Sequence, residues 1–406
     1  MNINNYILPS GIRLLHVKVA GDVSYCGMVI NTGTRDELQG ESGYAHLVEH
    51  LMFKGTSKYS ARQIISRIED IGGEINAYTT KEDTTVYAAF LKRHIDRVFS
   101  LIAQMVLDSQ FSQKCIDKEV GVICDEIDSY IDNPAEIILD DFEDLIFCGN
   151  PLGRNILGDK KTLKAVRQDK ILDFYRRTYT PDQMLFFIMG NYSKERVLNL
   201  ANKVFDSVQT VRRGYERESL KPYVPIERCI NKRTKQTHLV IGNRCYSLYD
   251  ENRFAFALLN NILGGDFMSS ALNMKLREKE GLVYEVDSNY TAYYETGNWN
   301  IYLGCDDCDT EKVMKIVKDT LCGFADRPIT ERELKIAKRR LLSYLTICGE
   351  NKESWILATA KQFLNTGKVM ESKEMEEKIN AITAADIQRC AREIFDMQKL
   401  TILMYK

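Results

Sequence analysis

The regular spacing of apolar residues is lost near the middle of the chain, and this divides the sequence into two parts. Residues 208–228 are polar and charged, include one glycine and two prolines, and show no helical or strand repeat, which is typical of a linker. On each side of it, apolar strand patterns alternate with amphipathic helix patterns in a similar order. We therefore predict an α+β protein of two α/β-sandwich halves, residues 1–207 and 229–406, each a mixed or antiparallel sheet with helices packed on it, related by internal duplication.

Capping-box sequences predict where several helices begin. The box requires a hydroxyl residue followed three positions later by a residue such as Gln, Glu or Asp, and it is found at Ser60, Thr330 and Thr383. Another amphipathic pattern predicts a long helix from Ser112 to about Asp132, and Pro134 lies close to its expected end.

Composition excludes several classes of function. Lys and Arg total 55 against 57 Asp and Glu, a formal charge of −2, whereas a general nucleic-acid or anionic-membrane binder needs a basic excess. No apolar run is long enough to span a bilayer, and the first residues lack an export signal. The 11 scattered cysteines favour free thiols in a reducing compartment. We expect a cytoplasmic protein that binds neither nucleic acid nor membrane.

The segment that indicates chemistry is His46-Leu-Val-Glu-His50. On a helix, positions i and i+4 project from one face, so His46 and His50 can bind one metal ion. Glu49 lies at the edge of that face, where a general base could act on a water whose pKa zinc has lowered. The chain has only 5 histidines, and two of them fall in this window, which favours a metal site over two ordinary core histidines.

A catalytic zinc needs a third protein ligand besides the two histidines. The predicted helix around residues 118–126 offers two carboxylates, Glu119 and Glu126, which are two helical turns apart and therefore share a face. Spacing alone does not choose between them. Without the histidines, both would be interpreted as part of a solvated helix face.

Residues 46–56, HLVEHLMFKGT, resemble the inverted zinc motif of the pitrilysin/insulinase family of metallopeptidases, the inverzincins. The likeness is greatest to its short members, which include bacterial peptidases and the mitochondrial processing peptidase. In that family a distal glutamate about 76 residues after the second histidine completes the site, and here 126 − 50 = 76. The resemblance thus implies that Glu126 is the third zinc ligand and that Glu119 is the supporting glutamate.

The same resemblance implies a set of substrate-binding residues. Asn76, Ala77 and Thr79 match strand positions that line the family's cleft, where an edge strand would hold an extended peptide by β-augmentation. In the second half, Arg277 and Tyr284 match a family arginine and tyrosine that contact substrate. From the residues alone, these two would be interpreted as a surface arginine and a packed tyrosine.

Together these observations predict a zinc endopeptidase with Glu49 as general base and one Zn2+ per chain. The second half has a single histidine, His238, and cannot hold a duplicate site. By resemblance, two such chains should form a homodimer that encloses peptide substrates and excludes folded proteins. The alternative is a non-catalytic subunit, or an active one that needs a different partner chain in a heterodimer.

Other motifs are given little weight. Cys305-Asp-Asp-Cys308 has the spacing of a metal or redox pair, but it lacks a second pair, and we expect it to form a turn before a helix at Thr310. The basic clusters Arg212-Arg213 and Lys338–Arg340 are interpreted as solvated faces or linker.

Overall fold

The computed structural model describes residues 2–406, which form two compact units. The first unit comprises the chain up to Asp128 together with Arg154–Ser219 and Asn351–Val369. The second unit comprises Ser129–Gly153, Leu220–Glu350 and Met370–Lys406. Each unit therefore draws on several segments of the chain, while the predicted division into residues 1–207 and 229–406 stays a prediction about the sequence.

The strands, in chain order, are β1 (Asn2–Ile7), β2 (Arg13–Lys18), β3 (Val23–Ile30), β4 (Glu74–Thr79), β5 (Thr84–Leu91), β6 (Met184–Gly190), β7 (Glu227–Ile230), β8 (Thr237–Cys245), β9 (Val283–Ala292), β10 (Gly297–Cys305) and β11 (Thr401–Tyr405). The α-helices are α1 (Tyr44–Met52), α2 (Ala61–Glu69), α3 (Ile95–Leu107), α4 (Gln113–Ile131), α5 (Pro134–Ile146), α6 (Lys160–Lys164), α7 (Gln168–Thr178), α8 (Lys194–Phe205), α9 (Asn252–Gly264), α10 (Thr310–Asp326), α11 (Glu331–Gly349), α12 (Lys352–Thr366), α13 (Ser372–Ala381) and α14 (Ala384–Ile394). The segment Asn273–Lys279 is a π-helix.

Each unit contains one mixed sheet. In the first unit the strand order is β1-β2-β6-β3-β5-β4, with β2 and β6 parallel and the other neighbours antiparallel. In the second it is β7-β11-β8-β10-β9, with only β7 and β11 parallel. The predicted α+β fold is confirmed. None of the helices between residues 2 and 406 combines the length and the apolar character needed to cross a bilayer.

The sheet of the first unit is buried on both faces at its centre. All seven residues of β6 are buried, and they alternate between two cores, as the period of a strand requires. Phe186 faces the core that also contains α1 and α3, whereas Phe187 faces a smaller core formed with α12. From α12, Ile356 and Phe363 are buried there. A helix from the second half of the sequence thus covers one face of the first sheet.

The second unit likewise receives a helix from the other half of the sequence. Helix α5, from the first half, covers one face of the second sheet. Phe142 of α5 is fully buried in a core with Val240 of β8 and Leu403 of β11. Burying one such side chain contributes about 1.5–3 kcal/mol. Pro134 begins α5 at a position where its missing N–H leaves no hydrogen bond unmade.

Residues 208–226 form neither helix nor strand, as predicted. Arg212-Arg213 lies in this linker, one of the two interpretations that the sequence left open, and the side chain of Arg213 is only 8% exposed, so it is not part of a solvated face. Its guanidinium donates to the Asn31 carbonyl and the Thr32 hydroxyl, and it lies 3.6 Å from the Asp36 carboxylate. This part of the linker therefore belongs to the first unit and is fixed there by the buried partners of Arg213.

Candidate metal centre

Helix α1 carries three of the predicted site residues, His46, Glu49 and His50. Its apolar side chains are buried and fix the helix against the core: Tyr44, Ala45, Leu47, Val48, Leu51 and Met52. His46 and His50, one turn apart, lie side by side with ring centroids 4.6 Å apart. The amphipathic pattern of the helix thus determines the direction in which both imidazoles project.

The two histidines meet a carboxylate from α4. Glu126 Oε2 lies 4.0 Å from His46 Nε2 and 3.9 Å from His50 Nε2, and one ligand atom from each of the three residues lies within 4.8 Å of the other two. Two imidazole nitrogens and a carboxylate oxygen are donors that zinc prefers, at about 2.0–2.2 Å. The donor set and its spacing therefore fit a zinc ion, with room for a further ligand because only three side chains converge.

Protonation also suits metal binding. Burial and, to a smaller extent, the neighbouring His50 lower the pKa of His46 to about 4. His46 is therefore neutral at physiological pH and has a lone pair to offer.

Glu119 lies on the other side of His50 from Glu126. Its side chain is only 2% exposed, and its Oε2 is 3.4 Å from His50 Nδ1. Its second oxygen is 3.0 Å from the ammonium of Lys54. A carboxylate facing Nδ1 favours the tautomer that carries the proton there, which leaves Nε2 free for a metal. By spacing alone Glu119 and Glu126 are equivalent, but in the structure they face opposite nitrogens of the His50 imidazole.

Glu49 is held by a residue of the edge strand β4. The hydroxyl of Thr79 donates a 2.7 Å hydrogen bond to Glu49 Oε2. Burial raises the pKa of Glu49, opposed by the Thr79 hydrogen bond and by His50. The sequence placed Thr79 among the substrate-binding residues, and its observed contact is with the carboxylate predicted to be the base.

Strand β4 lies at the edge of the first sheet, and among residues 2–406 it pairs only with β5. Ala77 packs against the core that contains α1, and Thr79 lies on the same face because side chains alternate. Asn76 is exposed and lies on the opposite face, opposite Tyr87 of β5. The outer edge of β4 therefore has backbone groups available to another strand.

Arg277 and Tyr284 belong to the second unit. Arg277 is exposed in the π-helical segment Asn273–Lys279, and π-helical turns are frequent at functional sites. Tyr284, at the start of the edge strand β9, is 60% exposed and its hydroxyl is 3.3 Å from Asp306. Both side chains are accessible.

One residue of this region escaped the sequence analysis. Glu37 accepts hydrogen bonds from the backbone N–H groups of Gly43 and Ala45 at the start of α1. A capping box places its acid three residues into the helix, so no local motif points to an acid that precedes the helix by several residues. The only sign of Glu37 in the sequence is its position between Gly33 and Gly40, in a segment rich in turn-forming residues.

Comparison with known proteins identifies the family. Residues 14–160 match the family profile described as Insulinase (Peptidase family M16), and residues 165–341 match the one described as Peptidase M16 inactive domain. An uncharacterized zinc protease of Streptomyces coelicolor is 31% identical over 396 residues, which cover 95% of this chain and 86% of the relative. The chain belongs to the insulinase family. This confirms the resemblance predicted from residues 46–56.

Further relatives agree with membership of the insulinase family. An uncharacterized zinc protease of Bacillus subtilis is 32% identical over 396 residues, covering 97% of this chain and 96% of the relative. Relatives with these descriptions support a peptidase role and a zinc cofactor. Among solved structures, a protease from Helicobacter pylori has a TM-score of 0.91 at 19% identity, covering 100% of this chain and 99% of that chain. A peptidase M16 inactive domain protein from Pseudomonas fluorescens has a TM-score of 0.92 at 17% identity, covering 100% and 98%. These two likenesses show the fold.

Proposed function

We propose that this chain is a zinc-dependent endopeptidase that hydrolyses peptides and unfolded segments, with one zinc per chain. The observation that carries the proposal is the convergence of His46, His50 and Glu126, whose ligand atoms lie within 4.8 Å of one another. A carboxylate on the same helix, Glu49, supplies the base that such a site needs. Family membership and relatives described as zinc proteases support the same function.

A zinc ion held by His46, His50 and Glu126 would polarise the scissile carbonyl and lower the pKa of the attacking water. Glu49 accepts the proton of that water and returns it to the leaving amine. The hydrogen bond from Thr79 keeps one Glu49 oxygen in place, so that the other oxygen is directed at the reaction. Glu119 acts indirectly, by orienting His50 through Nδ1.

The substrate binds as an extended strand along the outer edge of β4. Because β4 pairs only with β5 among the described strands, its outer backbone groups can hydrogen-bond to a peptide, reading the main chain more than the side chains. Asn76, Ala77 and Thr79 line this edge. An extended segment is required, so a folded protein would have to unfold locally before it could be cut.

Two chains form a homodimer in which Arg277 and Tyr284 of one subunit contact the peptide bound at the zinc of the other. The exposure of both side chains in the second unit supports this role. All eleven cysteines are free thiols in the structure, which supports a reducing compartment such as the cytoplasm.

The test is to compare one substrate protein in two states. We expect the purified chain to cleave a small disulfide-bonded protein after reduction and alkylation, and to leave its native form intact, because only the unfolded form can align with β4. Mass spectrometry of the products measures cleavage, and size-exclusion chromatography measures the oligomeric state. A zinc-loaded dimer that cleaves neither form would contradict the proposal, while an inactive monomer would favour a subunit that needs a different partner.

A further inference from the structure

Three consecutive charged residues near the metal centre are almost completely buried. Arg35, Asp36 and Glu37 are 4%, 4% and 2% exposed. Burying a charge is costly unless it is paired or hydrogen-bonded, and each of these side chains has its own partners in a different part of the first unit. We call Arg35–Glu37 the charged segment.

Glu37 contacts the start of the zinc-motif helix. Its two oxygens accept hydrogen bonds from Gly43 N, at 3.2 Å, and from Ala45 N, at 2.9 Å. Helix α1 has no capping side chain of its own, because the residue at its N-cap is Gly43, with φ +88°. The first N–H groups of a helix need acceptors from elsewhere, and Glu37 supplies them next to His46.

Glu37 can make these contacts in either protonation state. Burial raises its pKa to about 8, against the opposing effect of the two N–H donors and Arg154. Each carboxyl oxygen accepts a hydrogen bond whether or not the group is ionised, whereas the amide nitrogen of a glutamine cannot accept one. Replacing Glu37 with glutamine therefore removes one acceptor without changing the size of the side chain.

Arg35 contacts the turn that follows β4. Its guanidinium lies 2.6 Å from Glu82 Oε1, and its backbone N–H donates to the Lys81 carbonyl at 2.9 Å. This turn directly follows Thr79, which donates to Glu49. The charged segment therefore contacts both the helix that carries the ligands and the strand that holds the predicted base.

Asp36 contacts the linker. It accepts hydrogen bonds from Arg217 Nη2 at 2.8 Å and from the Tyr215 hydroxyl at 2.9 Å. Although burial opposes it, the Arg217 guanidinium lowers the pKa of Asp36. Arg217 also donates to the Glu82 carbonyl at 2.8 Å. The linker thereby joins the charged segment to the turn after β4.

We propose that Glu37 is a positioning residue for peptide hydrolysis, fixing the first turn of α1 and with it His46, and that Arg217 of the linker keeps the charged segment in place. This inference rests on the proposed function. It assigns the linker a role in ordering the site, beyond joining two parts of the chain.

The test uses the full-length Glu37→Gln variant. We expect amide hydrogen exchange at residues 43–46 to become about tenfold faster, as for the loss of a helix cap, and zinc affinity to fall about tenfold, as for the loss of a supporting contact. The turnover number kcat should fall by about the same factor while KM stays unchanged, because the cleft itself is intact. Exchange in α3 reports on the core and should not change.

The matched control is Glu195→Gln, which makes the same change in the first turn of α8, where the carboxylate is exposed. It should leave zinc affinity, kcat and exchange at residues 43–46 as in the parent. If Glu37→Gln does not fold, Arg217→Lys takes its place, since it keeps the charge and loses the paired hydrogen bonds to Asp36. That variant should accelerate exchange at residues 43–46 and 80–83 together.

Unchanged zinc affinity and unchanged exchange at residues 43–46 in a folded Glu37→Gln protein would overturn the proposal, even if its melting temperature fell. The same holds for unchanged exchange in Arg217→Lys when that variant replaces it. Exchange and zinc affinity do not require hydrolysis. They therefore test the positioning role even if the parent protein cleaves no peptide, in which case only the proposed function fails.

Discussion

Replacing Glu49 by glutamine should reduce kcat for peptide hydrolysis by about a thousandfold, within the range attributed to general acid–base catalysis. Glutamine has the size of glutamate and its amide oxygen can still accept the hydrogen bond from Thr79, but it cannot take a proton from water. The proposed ligands His46, His50 and Glu126 are untouched, so zinc binding should persist. The measurement pairs initial rates on an unstructured peptide with the zinc content of the same samples.

A companion variant, Thr79→Val, separates the base from its support. Valine keeps the branched shape that suits β4 and removes the hydroxyl that donates to Glu49. Losing one hydrogen bond to a charged group corresponds to about a tenfold to hundredfold effect, so this variant should retain more activity than Glu49→Gln. Equal activity of Glu49→Gln and the parent would mean that another group is the base or that a contaminant cleaves the peptide.

Replacing Glu126 by glutamine should weaken zinc binding by more than about a hundredfold, beyond the range reported for residues that only support a ligand. Its Oε2 lies about equally far from both imidazole Nε2 atoms, at 4.0 and 3.9 Å, and an amide oxygen is a neutral and weaker donor. Glu119→Gln should weaken binding by about 10- to 100-fold, since Glu119 faces only the far nitrogen of His50.

The same helix offers a matched control for these two variants. Asp125 is adjacent to Glu126 on α4 and exposed, and Asp125→Asn makes the same change of charge outside the metal site. It should bind zinc like the parent. Competition with a zinc-binding dye ranks the zinc affinities of the parent and the three variants. If Glu119→Gln lost more affinity than Glu126→Gln, the assignment of ligand and supporting residue would have to be reversed.

Much of the site could be predicted because its signals are local. The spacing of His46 and His50 determines that both imidazoles share a helix face, and capping boxes at Thr330 and Thr383 mark helices that begin at those positions. The roles of Glu119 and Glu126 could not be separated by spacing, since residues two turns apart share a face. Only the packing of α4 beside α1 distinguishes them.

Other features depend on partners that are distant in the sequence. An amphipathic pattern indicates that α5 and α12 bury one face, but it does not indicate which sheet each one covers. For Arg212-Arg213 the sequence leaves a solvated face and a linker open, and it does not indicate that Asp36 gives Arg213 a buried partner. Glu37 caps a helix that begins several residues later, beyond the reach of any capping motif.

A single zinc site is proposed to carry the whole of peptide hydrolysis by this chain. The most direct measurement is a zinc titration of metal-free protein, prepared with a chelator, while cleavage of an unstructured peptide is recorded. We expect no cleavage without zinc and a rate that rises to a plateau at one zinc per chain. Cleavage that persists in metal-free protein, or no cleavage at any zinc concentration although zinc is bound, would contradict the proposal.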